Sequence, residues 1–125
     1  MNVPADLKYT SDHEWILMEG DIATIGITDY AQGELGDVVF VELPSVDENF
    51  EMGDVAATIE AVKTVADVFL PLSGSIVAVN EALDDESDLI NQDAYGAGWI
   101  LKVKISNPSE LESLMSAADY TASIS

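Results

Sequence analysis

Residues 99 to 105 read WILKVKI, the strictest alternation in the chain. On an extended backbone Trp99, Leu101, Val103 and Ile105 point one way, and Ile100, Lys102 and Lys104 point the other. A period of two marks a strand with one buried face, so other strands must cover that face. The rest of the chain supplies them. Glu14 to Met18, the turn Glu19-Gly20-Asp21 and Ile22 to Ile27 read as strand, turn, strand. Further strands are expected in VVFVEL, closed by Pro44, in Val55 to Val62, in VADVFLPL, and in SIVAV after Ser73-Gly74. Pro71 marks an edge or a strand end. The fold is mainly β.

Two segments carry helix signals. Thr28 caps a short helix, DYAQGEL (29–35), which Gly36 stops. A C-terminal helix is expected from Pro108, with Asn107 as cap, Glu110 at the third position, and Leu111, Leu114 and Met115 on one face. Residues 81 to 93, EALDDESDLINQD, read as an acidic loop without the residue spacing of a calcium site. A short repeat, G-x-aliphatic-V-x-V, occurs at Gly36 and again at Gly74, which suits two similar half-sheets packed face to face.

At 125 residues and 48% hydrophobic, the chain suits one domain, 1–125, with a core of its own. The absence of cysteine removes disulfides, thiolate metal sites and cysteine nucleophiles. The single histidine, His13, cannot build a histidine-rich metal site and has no legible serine partner, so a local structural contact is expected of it. MNVPADLKYTSD has neither the basic nor the apolar region of a secretion signal, so none is expected, and no apolar run reaches membrane-spanning length. A net charge of −20 disfavours nucleic acid and anionic membranes as partners and points to a self-repelling surface that salt would stabilise. A soluble monomer of the bacterial cytoplasm is expected, with an organellar matrix as the alternative.

Against this charge the cations stand out. There are four, all lysine, and one of them, Lys63, interrupts the apolar run IEAVKTVADV. The break Lys63-Thr64 between two strands makes a hairpin tip, yet it contains none of the Gly, Asn or Asp that tight hairpin turns favour. Its small neighbours leave the ε-amine accessible, and a compact amine on a flexible stem is a common target of acylation.

The segment IEAVKTVADVFLPLSGSIVAVN resembles the lipoyl-attachment region of the glycine cleavage H-protein family. YTSDHEWI, ATIGITDYAQGELGDVVFVELP, LINQDAYGAGWILKVK and PSELESLMSAADY are similar to that family in the same order, so nearly the whole chain is covered. The resemblance implies an all-β barrel-sandwich hybrid of two antiparallel sheets with a short helix and a C-terminal helix. It implies lipoate in amide linkage to Lys63, placed there by lipoyl-attaching enzymes. Glycine decarboxylase would load the arm with an aminomethyl group, an aminomethyltransferase would remove it, and dihydrolipoamide dehydrogenase would reoxidise the dithiol. The protein would be a carrier, with its hard chemistry in cofactor and partners.

The resemblance also implies a cleft for the loaded arm, with Glu14 and Asp67 at the family's acidic positions. Asp12 stands where the family often has serine, and a carboxylate there can still accept from an ammonium. Biotinyl domains have M-K-M at the attachment site and the lipoyl domains of 2-oxoacid dehydrogenases D-K-A, whereas this chain has Val62-Lys63-Thr64. A lipoate relay or a regulatory interaction module on the same fold is the alternative function; an isolated enzyme is the remaining one.

Overall fold

The computed structural model describes residues 2–124. Among these residues nine strands run in the order β1 (Lys8–Tyr9), β2 (Glu14–Glu19), β3 (Ile22–Ile27), β4 (Val38–Glu42), β5 (Asn49–Phe50), β6 (Val55–Ala61), β7 (Val65–Phe69), β8 (Gly74–Val79) and β9 (Leu101–Ile105). Six form one antiparallel sheet in the order β1-β2-β3-β9-β8-β5, and three form a second, β4-β6-β7. This is the expected barrel-sandwich hybrid, an open sandwich of two antiparallel sheets. The two copies of the short repeat fall one in each sheet, on β4 and β8.

The core lies between the sheets. Ile16, Ile25, Ile76, Leu101 and Val103 face inward from the larger sheet and Val41, Ile59 and Val68 from the smaller. The neighbours of Ile16 and Ile25 in β2 and β3 point to the opposite face, where the pleat pairs Trp15 with Gly26. A Cβ at Gly26 would stand 2.7 Å from the indole, so glycine is what lets Trp15 lie flat across β3. The indole N–H donates to the Ala94 carbonyl at 2.9 Å, which fixes β2 against the chain beyond the core. Leu7, Tyr9, Trp15 and Tyr120 make a second apolar cluster on this outer face.

Among the described residues four α-helices complete the fold: α1 (Asp29–Leu35), α2 (Ala82–Asp85), α3 (Leu89–Gln92) and α4 (Ala117–Ser123). Helix α1 matches its sequence reading, with the Thr28 hydroxyl accepting from the Ala31 N–H and Gly36 at φ +79° ending it. Three expectations need correction. Residues 81–93 are not a loop: α2 and α3 bury Leu83 and Ile90 in the main core, and apolar burial outweighs the repulsion among their exposed acids.

The C-terminal helix begins at Ala117 rather than Pro108. Residues Pro108–Ser113 form a 3-10 turn, and the Asn107 side chain makes no capping bond to it. Glu110 accepts from the N–H and hydroxyl of Ser73, both at 2.8 Å, which ties that turn to the start of β8. Met115 then pairs with Tyr9, so extended backbone separates the turn from α4. Finally, Ile100 is fully buried and its N–H bonds Ile25 ahead of the strand, so the alternation holds only from Leu101.

Candidate functional site: the Lys63 turn and its acidic cleft

Strands β6 and β7 meet at a turn in which the Ala61 N–H donates to the Thr64 carbonyl at 2.8 Å. Val62 and Lys63 are therefore its central residues, one position earlier than Lys63-Thr64. The Val62 N–H donates to the Asp37 carbonyl at 3.0 Å, bracing the turn on the loop that follows α1. That loop is itself held. The Asn91 side chain accepts from the Val38 N–H at 2.9 Å and donates to the Gly36 carbonyl at 2.8 Å and to Gln32 at 3.1 Å. The stem of Lys63 lies over Gly36, where an added Cβ would come within 3.3 Å of the lysine Cε. Lys63 is exposed, and no hydrogen bond or ion pair to any described residue engages its amine.

Beside the turn, a cleft of about 320 Å³ opens between α1, β7 and the start of β2. Asp12, Glu14 and Asp67 all line it, so the structure brings the three acids together. Glu34 of α1 adds a fourth carboxylate, and Ile27, Ala31, Leu35, Ile59, Ala66 and Val68 form apolar walls. The sequence reading passed over Glu34 and the helix α1 as cleft elements. Nothing local marks them, because only the tertiary placement of α1 across the cleft from β7 turns one face of a short helix into a wall.

Glu14 is the buried member, 2% exposed. One carboxylate oxygen accepts from the Thr10 hydroxyl and the other from the Phe69 N–H, each at 2.9 Å. Thr10 Oγ1 in turn accepts from the N–H groups of Asp12 and Glu14, at 3.3 and 3.2 Å, so its proton is committed to Glu14. Burial pushes the Glu14 carboxyl up to about 7; its two hydrogen bonds oppose the rise and the charge of Asp12 adds to it. The donors are arranged for a carboxylate, and desolvation is what holds it near neutrality. A cation in the cleft would tip the balance to the ionised form. Asp67 is exposed on β7 and Asp12 is exposed on the loop before β2, so these two set the charge of the mouth.

His13, between Asp12 and Glu14, also lines the cleft. It takes a left-handed φ of +69°, its N–H bonds the Thr10 carbonyl, and its ring lies 4.8 Å from that of Tyr30. Nδ1 is 2.9 Å from the Tyr120 hydroxyl, the structural contact expected of it. Tyr120 stacks on Tyr9 with centroids 4.8 Å apart, which anchors α4 to the outer face of β1.

Comparison with known proteins places these features in a family context. A family model described as glycine cleavage H-protein matches residues 7–125. The chain is 54% identical over 122 residues to the glycine cleavage system H protein of Bacteroides thetaiotaomicron, covering 98% of this chain and 97% of that one. It is likewise 54% identical to the namesake protein of Symbiobacterium thermophilum, over 97% and 94% of the two chains. The crystal structure of a glycine cleavage system H protein from Mycobacterium marinum superposes with a TM-score of 0.85 at 40% identity, covering 96% of this chain and 97% of that one.

Proposed function

This chain belongs to the glycine cleavage H-protein family and is a lipoyl carrier of the glycine cleavage system; we propose that Lys63 is the attachment point and that Glu14, Asp67 and Asp12 receive the charged cargo. The observation that carries the proposal is an unengaged, exposed lysine amine on a braced turn beside a cleft that combines four carboxylates with apolar walls. Lipoate fits such a site on both counts: it needs a free amine for its amide, and its apolar arm suits the Ile27, Leu35, Ile59 and Val68 lining. Held on Lys63, the group would supply a redox-active disulfide able to carry an aminomethyl group and electrons between glycine decarboxylase, the aminomethyltransferase and dihydrolipoamide dehydrogenase.

The chain's own residues bind, orient and shield. The Asp37 and Gly36 bracing holds the turn in one place, so partner enzymes meet the amine at a defined position. Exposed Asp12 and Asp67 draw an ammonium to the mouth. Glu14, ionised by that arrival, accepts from it in a site of low water access, where a charge-assisted hydrogen bond is strong. A carboxylate has lone pairs beyond the two already engaged by Thr10 and Phe69. Among the described residues no helix is long and apolar enough to cross a membrane.

The test is intact and peptide mass spectrometry of the full chain after reaction with purified lipoyl ligase. One lipoyl amide mapped to Lys63 and lost in Lys63→Ala is expected. An amide on Lys8, Lys102 or Lys104 instead, or no modification, would overturn the assignment.

A further inference from the structure

Three hydrogen bonds join α1, α4 and the cleft: the Ala31 N–H donates to Thr28 Oγ1 at 3.2 Å, Thr28 Oγ1 and Tyr120 Oη lie 2.7 Å apart, and Tyr120 Oη lies 2.9 Å from His13 Nδ1. Their proton order can be worked out. Thr28 is fully buried, and of the two groups bonded to its Oγ1 among the described residues the Ala31 N–H can only donate, which leaves Tyr120 Oη as the possible acceptor of the Thr28 proton. Thr28 therefore donates to Tyr120, and Tyr120 donates to His13 Nδ1. In the reverse order, with the proton on Nδ1, Tyr120 would donate to Thr28 and leave the buried Thr28 proton without an acceptor among the described residues. The imidazole thus carries its proton on Nε2, and its one lone pair is held by a tyrosine that burial keeps neutral.

We propose that Tyr120 is a positioning residue whose hydrogen bond keeps the chain's single imidazole from acting as a base on cargo held in the cleft. The inference rests on the reading that the cleft holds an aminomethyl group as its ammonium. The chemistry supplies the reason. While the nitrogen is protonated, the cargo –S–CH2–NH3+ is inert. Loss of one proton frees the nitrogen lone pair, which forms a C=N bond as the C–S bond breaks and its electron pair leaves on sulfur. Water then adds to the iminium, and formaldehyde and ammonium are released. A free imidazole lone pair beside the cargo would take that first proton. The cleft that the ring lines also holds Asp12 and Glu14 from its own segment, Tyr30 and Glu34 from α1, and Asp67 from β7, but Tyr120 is the group placed to donate to the ring.

Nitrogen-15 spectra of the full-length chain, with and without lipoate, read the His13 tautomer directly. The Nε2–H form is expected for the neutral ring; the Nδ1–H form, or an even mixture, overturns the proposal. Loss of the aminomethyl group is then followed as ammonia release. Tyr120→Phe keeps the ring that stacks on Tyr9 but removes the bond that fixes the tautomer, so the ring's lone pair is unengaged on whichever nitrogen carries it. Loss should accelerate about tenfold, short of the roughly 10²–10⁴-fold of a base selected for its position. Adding His13→Asn, a residue that tolerates the left-handed φ of +69°, should abolish that acceleration. Acceleration that persists in the double variant, or equal rates in Tyr120→Phe and the parent chain, would overturn the proposal. Should the parent chain lose the group as fast as free aminomethyl-lipoamide, the cleft reading itself fails, whatever the spectra show.

Discussion

Replacing Glu14 with glutamine isolates the cost of keeping a carboxyl in the cleft. The folded carboxyl titrates near 7 against an ordinary 4.5, so between those values the native chain binds a proton that the unfolded chain has released. Stability then falls as pH rises, with a slope from this group of at most about 1.4 kcal/mol per unit. Full below pH 4.5, the contribution is lost by about pH 7, a swing of roughly 3 kcal/mol. Glu14 is 2% exposed, so solvent screening takes little from that figure.

Urea unfolding of Glu14→Gln and the parent chain, repeated from about pH 4.5 to pH 8, measures the swing. The other carboxylates contribute the same pH dependence to both proteins, and any constant effect of the amide cancels when each protein is compared with itself. The parent curve should drop by about 3 kcal/mol more than the variant curve across the window. Curves that stay parallel within about 0.5 kcal/mol would show an ordinary Glu14 carboxyl and remove the argument that an arriving ammonium ionises it.

Two further outcomes follow from packing and charge. Gly74→Ala puts a Cβ against the backbone carbonyl of Lys104, which cannot retreat without parting β8 from β9, and should cost on the order of 2–3 kcal/mol in urea unfolding; a loss under about 0.5 kcal/mol would mean the sheet yields there. With a net charge of −20, the midpoint of thermal unfolding should climb as added salt shortens the Debye length from about 30 Å at 0.01 M to about 3 Å at 1 M. A midpoint indifferent to salt would show that the acids are already spaced beyond mutual repulsion.

Local signals that coincide with local physics were legible. Thr28 and Gly36 bound α1 because a cap and a left-handed stop act within one turn of the helix. The same logic misled at Asn107: it has the right type and spacing for a cap, yet the bonds between Glu110 and Ser73 hold Pro108–Ser113 as a 3-10 turn. At 81–93 the acids dominated the reading, and the signal that mattered was the spacing of Leu83 and Ile90, two side chains that need a core to bury them. Asn91 gave no warning, because a side-chain amide that brackets a distant loop looks like any polar surface residue until the loop is in place.

The sequence by itself determined that this chain builds sheets, that a lysine at 63 interrupts an apolar run, and that the family blocks stand in order along nearly its whole length. These are properties of period, composition and motif, and neighbouring residues suffice to express them. Only the tertiary structure decided what surrounds the lysine. Asp12 and Glu14 lie more than fifty residues before Asp67, and Tyr120 lies more than a hundred residues from His13, so neither the cleft nor the hydrogen-bond order across it exists until the sheets have packed. Burial, which pushes Glu14 toward 7, is likewise a property of that packing and of no residue alone.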